Sequence, residues 1–143
     1  MTLILTQAQL QAIHLHLEKA YPEESAGFLL GTDGEPRYVQ HILPIQNARP
    51  DSRHNRYLIE PLDYLHAEDL AARWKMSLLG VFHSHPDHPN IPSEYDREWA
   101  QPFFSYVIVS VENGKATSTR CWRLDENRQQ FLEETIQIEQ EVA

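Results

Sequence analysis

Residues 80–96, Gly-Val-Phe-His-Ser-His-Pro-Asp-His-Pro-Asn-Ile-Pro-Ser-Glu-Tyr-Asp, place three histidines, three prolines and two aspartates within seventeen positions. If the apolar run entering this segment is a strand, His83 and His85 point to one face and Ser84 to the other. Two imidazoles at that spacing can hold one cation, and Pro86 ends the strand so that the pair borders a cleft. Asp96, one turn into a helix beginning at Ser93, can point back at them. His83, His85 and Asp96 then form an N,N,O ligand set with a fourth position left to water, the arrangement of a catalytic rather than a structural zinc site. A plainer reading competes with it: two edge histidines facing solvent, followed by a Ser93-x-x-Asp96 capping box. His88, between two prolines of the connecting loop, is a further candidate ligand. Catalysis at such a centre needs a base, and Glu23 and Glu24 stand where the first helix hands over to a strand. They are either solvated carboxylates or, beside a metal, a source of general-base catalysis.

The elements that must position these residues are readable on either side. Thr6 with Gln9 makes a capping box, and Leu10, Ile13, His14 and Leu17 recur at helical spacing, so a helix is expected from about Gln7 to Ala20, ended by Pro22. His14 and His16 lie roughly 200° apart around that helix and cannot share a metal. A buried strand follows over 25–31, then a Thr-Asp-Gly turn and a second strand over 37–45. Residues 46–56 read as an exposed loop to which Arg49, Arg53 and Arg56 give local positive charge, and 57–59 as a short strand. Pro61 suits the first position of a helix carrying Leu62, Leu65, Leu70 and Trp74. The run 77–85 has strand length, and 106–112 with 115–124 forms a hairpin over Asn113-Gly114. A last helix is expected from about Asn127 to the end. Helices and strands thus interleave around one mixed sheet, an α/β (mixed α+β) class.

Composition narrows what such a domain can do. The 143 residues fit one domain, 1–143, with a single core. Twelve Lys and Arg against twenty-one Asp and Glu give a net charge of −9, which disfavours nucleic-acid phosphates as partners. No run approaches the ~18 apolar residues of a membrane helix, and the polar start lacks the basic region of a signal peptide, so a cytoplasmic location is expected. The single cysteine, Cys121, excludes an internal disulfide and a cysteine-rich zinc cluster, and reads as a small strand or core residue.

Glu24, then His83-Ser84-His85, seven residues, Ser93, two residues and Asp96, resembles the Glu…His-x-His-x7-Ser-x2-Asp signature of the JAMM (MPN+) metalloproteases. "PEESAGFLLG" resembles that family's block around the catalytic glutamate, and "RYLIEP" its strand before the middle helix. The resemblance runs from the first helix to the strand of Trp122. Ala26 stands where many relatives have cysteine before the glycine of the first block, a position that is not a ligand.

The resemblance implies a single JAMM-type domain, similar to the cytidine-deaminase-like fold, with one zinc ion on His83, His85 and Asp96. It implies that Glu24 activates the attacking water, and that Ser93 steadies that water and the oxyanion. Within the family the chain is similar to short, stand-alone bacterial members. This implies a ubiquitin-like sulfur-carrier protein as substrate, cut at or near its C-terminal Gly-Gly in cysteine, thiamine or related cofactor biosynthesis. The oligomeric state is left open. The alternative is a non-catalytic MPN-fold scaffold that binds protein partners, against which the complete ligand set and Glu24 weigh. A DNA-linked relative is disfavoured by the charge of −9. Nucleobase deaminases need a Pro-Cys-x-x-Cys segment, and amidohydrolase barrels need about 250 residues.

Overall fold

Thr6 closes a first strand and opens a first helix. Its hydroxyl accepts from the Gln9 amide at 3.1 Å while the Gln9 side chain accepts from the Thr6 amide at 2.8 Å, the reciprocal capping box expected from the sequence. The computed structural model describes residues 1–45 and 59–140. Its elements run β1 (Thr2–Thr6), α1 (Gln7–Ala20), β2 (Ala26–Thr32), β3 (Arg37–Ile45), α2 (Pro61–Arg73), β4 (Ser77–Pro86), α3 (Glu94–Trp99), β5 (Ser105–Glu112), β6 (Lys115–Leu124) and β7 (Phe131–Glu139). The expected loop over 46–56, and residues 57 and 58 of the expected short strand, lie outside the described residues. Ile59 and Glu60 are in no regular element and lead into α2, with Pro61 at its start as expected.

The strands form one mixed sheet in the order β1-β3-β2-β4-β5-β6-β7. β1 pairs in parallel with both β3 and β7, so the sheet closes into a barrel. β4 and β5 are parallel, while β2 and β6 run against their neighbours. Five strands therefore point one way and two the other. The close approach of β4 to β5 rests on Gly80, where a Cβ would lie 1.8 Å from the Ser105 carbonyl oxygen.

Two expectations fail here. The first strand, β1, was not anticipated. The helix expected from about Asn127 is instead a turn followed by β7: the Asp125 carboxylate accepts from the Gln129 and Gln130 amides at 2.8 and 3.1 Å, and Asn127 Oδ1 accepts from the Gln129 amide at 3.1 Å as an Asx turn, folding the chain back. β7 then finds backbone partners on both sides, β6 and β1, and this pairing overrides the helical preference of its Glu and Gln residues.

The strands curl around α1, which touches β1, β3, β4, β5 and β6. Ile13 and Leu17 of α1 pack there with Leu3, Leu29, Phe82, Val107, Val109 and Cys121. On the opposite face α2 contributes Ala67 and Ala71 to a second cluster with Phe28, Leu30, Val81 and Phe104, while Leu62 and Leu65 stay exposed. No described helix is long and apolar enough to cross a membrane.

The barrel end at which β1, β3, β4 and β5 begin is closed by a buried polar network. The Arg37 guanidinium donates to the Ser105 hydroxyl at 2.8 Å, which donates to Glu134 at 2.7 Å. Arg123 grips both oxygens of Glu134, at 2.9 and 2.6 Å. This bidentate pair gives the otherwise costly buried carboxylate its partners.

Candidate active site

At the other end of the barrel, β4 finishes and β2 starts. Antiparallel pairing puts Ala26 opposite His83, so topology alone brings Glu24 and Ser25 beside the His-Ser-His run. His83 and Ser84 are fully buried and His85 nearly so, which rules out the reading of two edge histidines in solvent. The segment after β4 has little regular structure, yet it is pinned. The Asp87 amide donates to the Val111 carbonyl at 2.8 Å, Ser110 Oγ to the His88 carbonyl at 2.8 Å, and Trp122 Nε1 to the Asn90 carbonyl at 3.0 Å. The prolines thus cross the end of β5 and β6 on a fixed path and deliver Ser93 and Asp96 back to the histidines.

His83, His85 and Asp96 each offer one ligand atom, all within 4.8 Å of one another. His83 Nε2 lies 3.7 Å from Asp96 Oδ1, and His85 Nε2 lies 3.0 Å from Asp96 Oδ2. His85 Nδ1 faces the Pro89 carbonyl at 2.7 Å. A carbonyl only accepts, so Nδ1 carries the hydrogen, and in the neutral ring Nε2 presents its lone pair to the carboxylate. Two acceptors 3.0 Å apart require a cation between them. A second proton on His85 supplies one, and a metal ion held jointly with His83 supplies another. The Pro89 carbonyl is the outer partner that a metal-binding histidine typically has, and the donor set of two imidazoles and a carboxylate suits zinc.

The charges agree with this arrangement. Burial dominates at His83 and, despite the Asp96 carboxylate, lowers its pKa to about 4, so the ring is neutral at pH 7. Burial also pulls His85 down, but the Asp96 hydrogen bond, the Pro89 carbonyl and the charges of Asp96 and Glu24 outweigh it and raise its pKa. At Asp96 burial pushes upward, yet the two imidazoles and the Ser93 amide hold the carboxyl well below the usual carboxylate range. The cluster is a buried carboxylate, ionised at neutral pH, flanked by two rings.

Glu24 and Ser93 lie beside the cluster. Together with His85, His88, Pro89 and Ile91 they line a cleft of about 360 Å³. Glu24 is half-buried and its charge is felt at His85, whereas Glu23 is exposed and absent from this cleft. His88 reaches the cleft wall but is not part of the cluster of possible ligands. Ser93 is the N-cap of α3, accepting from the Asp96 amide at 3.1 Å while its own amide donates to Asp96 Oδ2 at 2.8 Å. The cap uses a lone pair of Ser93 Oγ and does not consume its O–H hydrogen. The contribution of Pro89 was not legible beforehand, because a backbone carbonyl leaves no mark in residue type.

The family described as prokaryotic homologs of the JAB domain matches residues 6–125. A protein of Thermus thermophilus named as a probable TtuB-protein conjugate cleaving protease is 32% identical over 116 residues, 81% of this chain and 75% of that one. A desampylase of Haloferax volcanii is 31% identical over 109 residues, 76% of each. Among solved structures, a Desulfitobacterium hafniense protein superposes with a TM-score of 0.83 at 30% identity, covering 99% of this chain and 95% of the other.

Proposed function

Since the chain belongs to the family of prokaryotic homologs of the JAB domain, we propose that it is a zinc-dependent hydrolase of peptide or isopeptide bonds, acting at the C-terminal Gly-Gly of a ubiquitin-like sulfur-carrier protein. The reading is carried by the convergence of His83, His85 and Asp96 within 4.8 Å beside a cleft that also holds Glu24 and Ser93. It is supported by relatives named for cleaving TtuB–protein conjugates and for desampylation.

His83, His85 and Asp96 would hold the ion, with His85 oriented by the Pro89 carbonyl. Zinc held there supplies Lewis acidity, polarising the scissile carbonyl and lowering the pKa of water toward about 7. The Glu24 carboxylate takes the proton of the attacking water and returns it to the departing amine nitrogen. The Ser93 hydroxyl donates to the oxyanion that develops on the scissile carbonyl. The carrier's narrow Gly-Gly end suits a cleft of this size better than a folded surface does.

The test is incubation with candidate carriers extended beyond Gly-Gly, or conjugated to a lysine, read by intact mass. Release at Gly-Gly that stops on chelation and returns with zinc is expected. Protein that takes up no zinc, or zinc-loaded protein that leaves every carrier intact, overturns the reading.

A further inference from the structure

Ser84, between the two histidines, is fully buried and points away from the cation cluster. Its amide donates to the Ser25 carbonyl at 3.1 Å, and its hydroxyl oxygen accepts from the Ser25 amide at 3.0 Å. A regular antiparallel pair closes with two backbone bonds. Here one acceptor is a side chain, so β2 is tied to β4 one residue beyond the last register pair, Ala26 with His83. From the other side, His16 of α1 holds the same residue: its Nε2 lies 3.0 Å from the Ser25 hydroxyl and 3.1 Å from the Ala26 carbonyl. Glu24 is the next residue back. The backbone that carries it is fixed against the strand that carries both histidines by a hydroxyl of that strand.

We propose that Ser84 is a positioning residue: its hydroxyl, by capturing the Ser25 amide, sets the distance between the Glu24 carboxylate and the His83–His85 pair. The inference rests on Glu24 being the base of the reaction proposed above. It also accounts for the middle position of the His-x-His run. A residue there points to the sheet face opposite the cluster, where a short side chain with an acceptor oxygen can reach across to β2. An apolar residue of the same size fills the space but releases the tie.

Ser84→Ala tests this, because it removes the oxygen and little else. A displacement of about 1 Å in a reacting group can cost about 10² in rate. The expected result is a kcat about 10- to 100-fold lower, with KM and zinc content unchanged. In the metal-free protein, the Ser25 amide should exchange faster with deuterated water. Ser84→Thr, which keeps the acceptor and suits a strand, should restore both. If Ser84→Ala does not fold, Ser84→Cys fills the space with a weaker acceptor and should show a smaller loss of the same kind. A folded variant without the hydroxyl that keeps wild-type kcat, or that loses zinc in proportion to activity, overturns the proposal. A wild-type protein that cleaves nothing overturns the functional reading instead, and amide exchange at Ser25 still reports the tie.

Discussion

Glutamine at position 24 would keep the shape of the glutamate but take up no proton. Glu24→Gln should therefore lower kcat by about 10²–10⁴ and leave the metal content intact, because Glu24 lies outside the ligand cluster. The exposed neighbour is the control: Glu23→Gln should cleave normally, and the opposite result would exchange their roles. Ser93→Gly separates the two uses of one oxygen. Glycine is a tolerable cap, so unfolding should shift by only a few tenths of a kcal/mol, while kcat should fall by about 10²–10³ with the lost donor. Near-normal turnover would reduce Ser93 to a helix cap. His85 makes a third test. Its folded pKa is raised and metal needs Nε2 unprotonated, so metal uptake at pH 6 should release a proton. Affinity should weaken by up to tenfold per pH unit below that pKa. His83, already neutral, should contribute nothing there. Calorimetry in buffers of different ionisation enthalpy counts the proton, and a count of zero at pH 6 would contradict the arrangement. The clustering of the histidines with Asp96, and Ser93 as the cap of α3, were legible because they depend on side-chain type at fixed spacing. The choice of Glu24 over Glu23 came only with family resemblance, since burial distinguishes them and adjacent residues in a turn carry no periodicity.

The elements hold the site by two different means. β4 presents the histidines through the simple alternation of a strand, and this much follows from sequence. The proline-rich crossing after it is held by bonds to β5 and β6 that no local pattern announces. β7 is the clearest misreading. Residues 127–139 are rich in Glu and Gln and read as helix, but one flank of the strand is satisfied by the neighbouring β6 and the other by β1, at the far end of the sequence. Its one fully buried carboxylate, Glu134, belongs to the network at the opposite barrel end from the cleft. Glu134→Ala leaves Arg123 without its bidentate partner and should cost about 3–5 kcal/mol, the usual effect of breaking a buried pair. Denaturant unfolding measures the loss. Zinc binding should survive at temperatures where the variant is folded, and loss of metal by a folded variant would show that the two ends are coupled.

At the scale of the whole molecule, the cation cluster concentrates an unfavourable charge arrangement inside a protein that is already at −9. A ligand that binds only the folded state stabilises it by roughly 4 kcal/mol at a thousand times its Kd. Thermal unfolding should therefore drop on chelation and recover with zinc, and a transition indifferent to both would mean that the cluster holds no metal. Barrel closure was the least legible property, because it depends on Thr2 meeting Thr135, a pairing that no window of sequence contains. Its direction has a practical side. β1 and β7 are parallel, so chain entering before Thr2 and chain leaving after Glu139 emerge at opposite ends of the barrel. Tethered to a support through Met1, the protein presents its cleft outward to a macromolecular substrate. Tethered through the segment after Glu139, it turns the cleft toward the support.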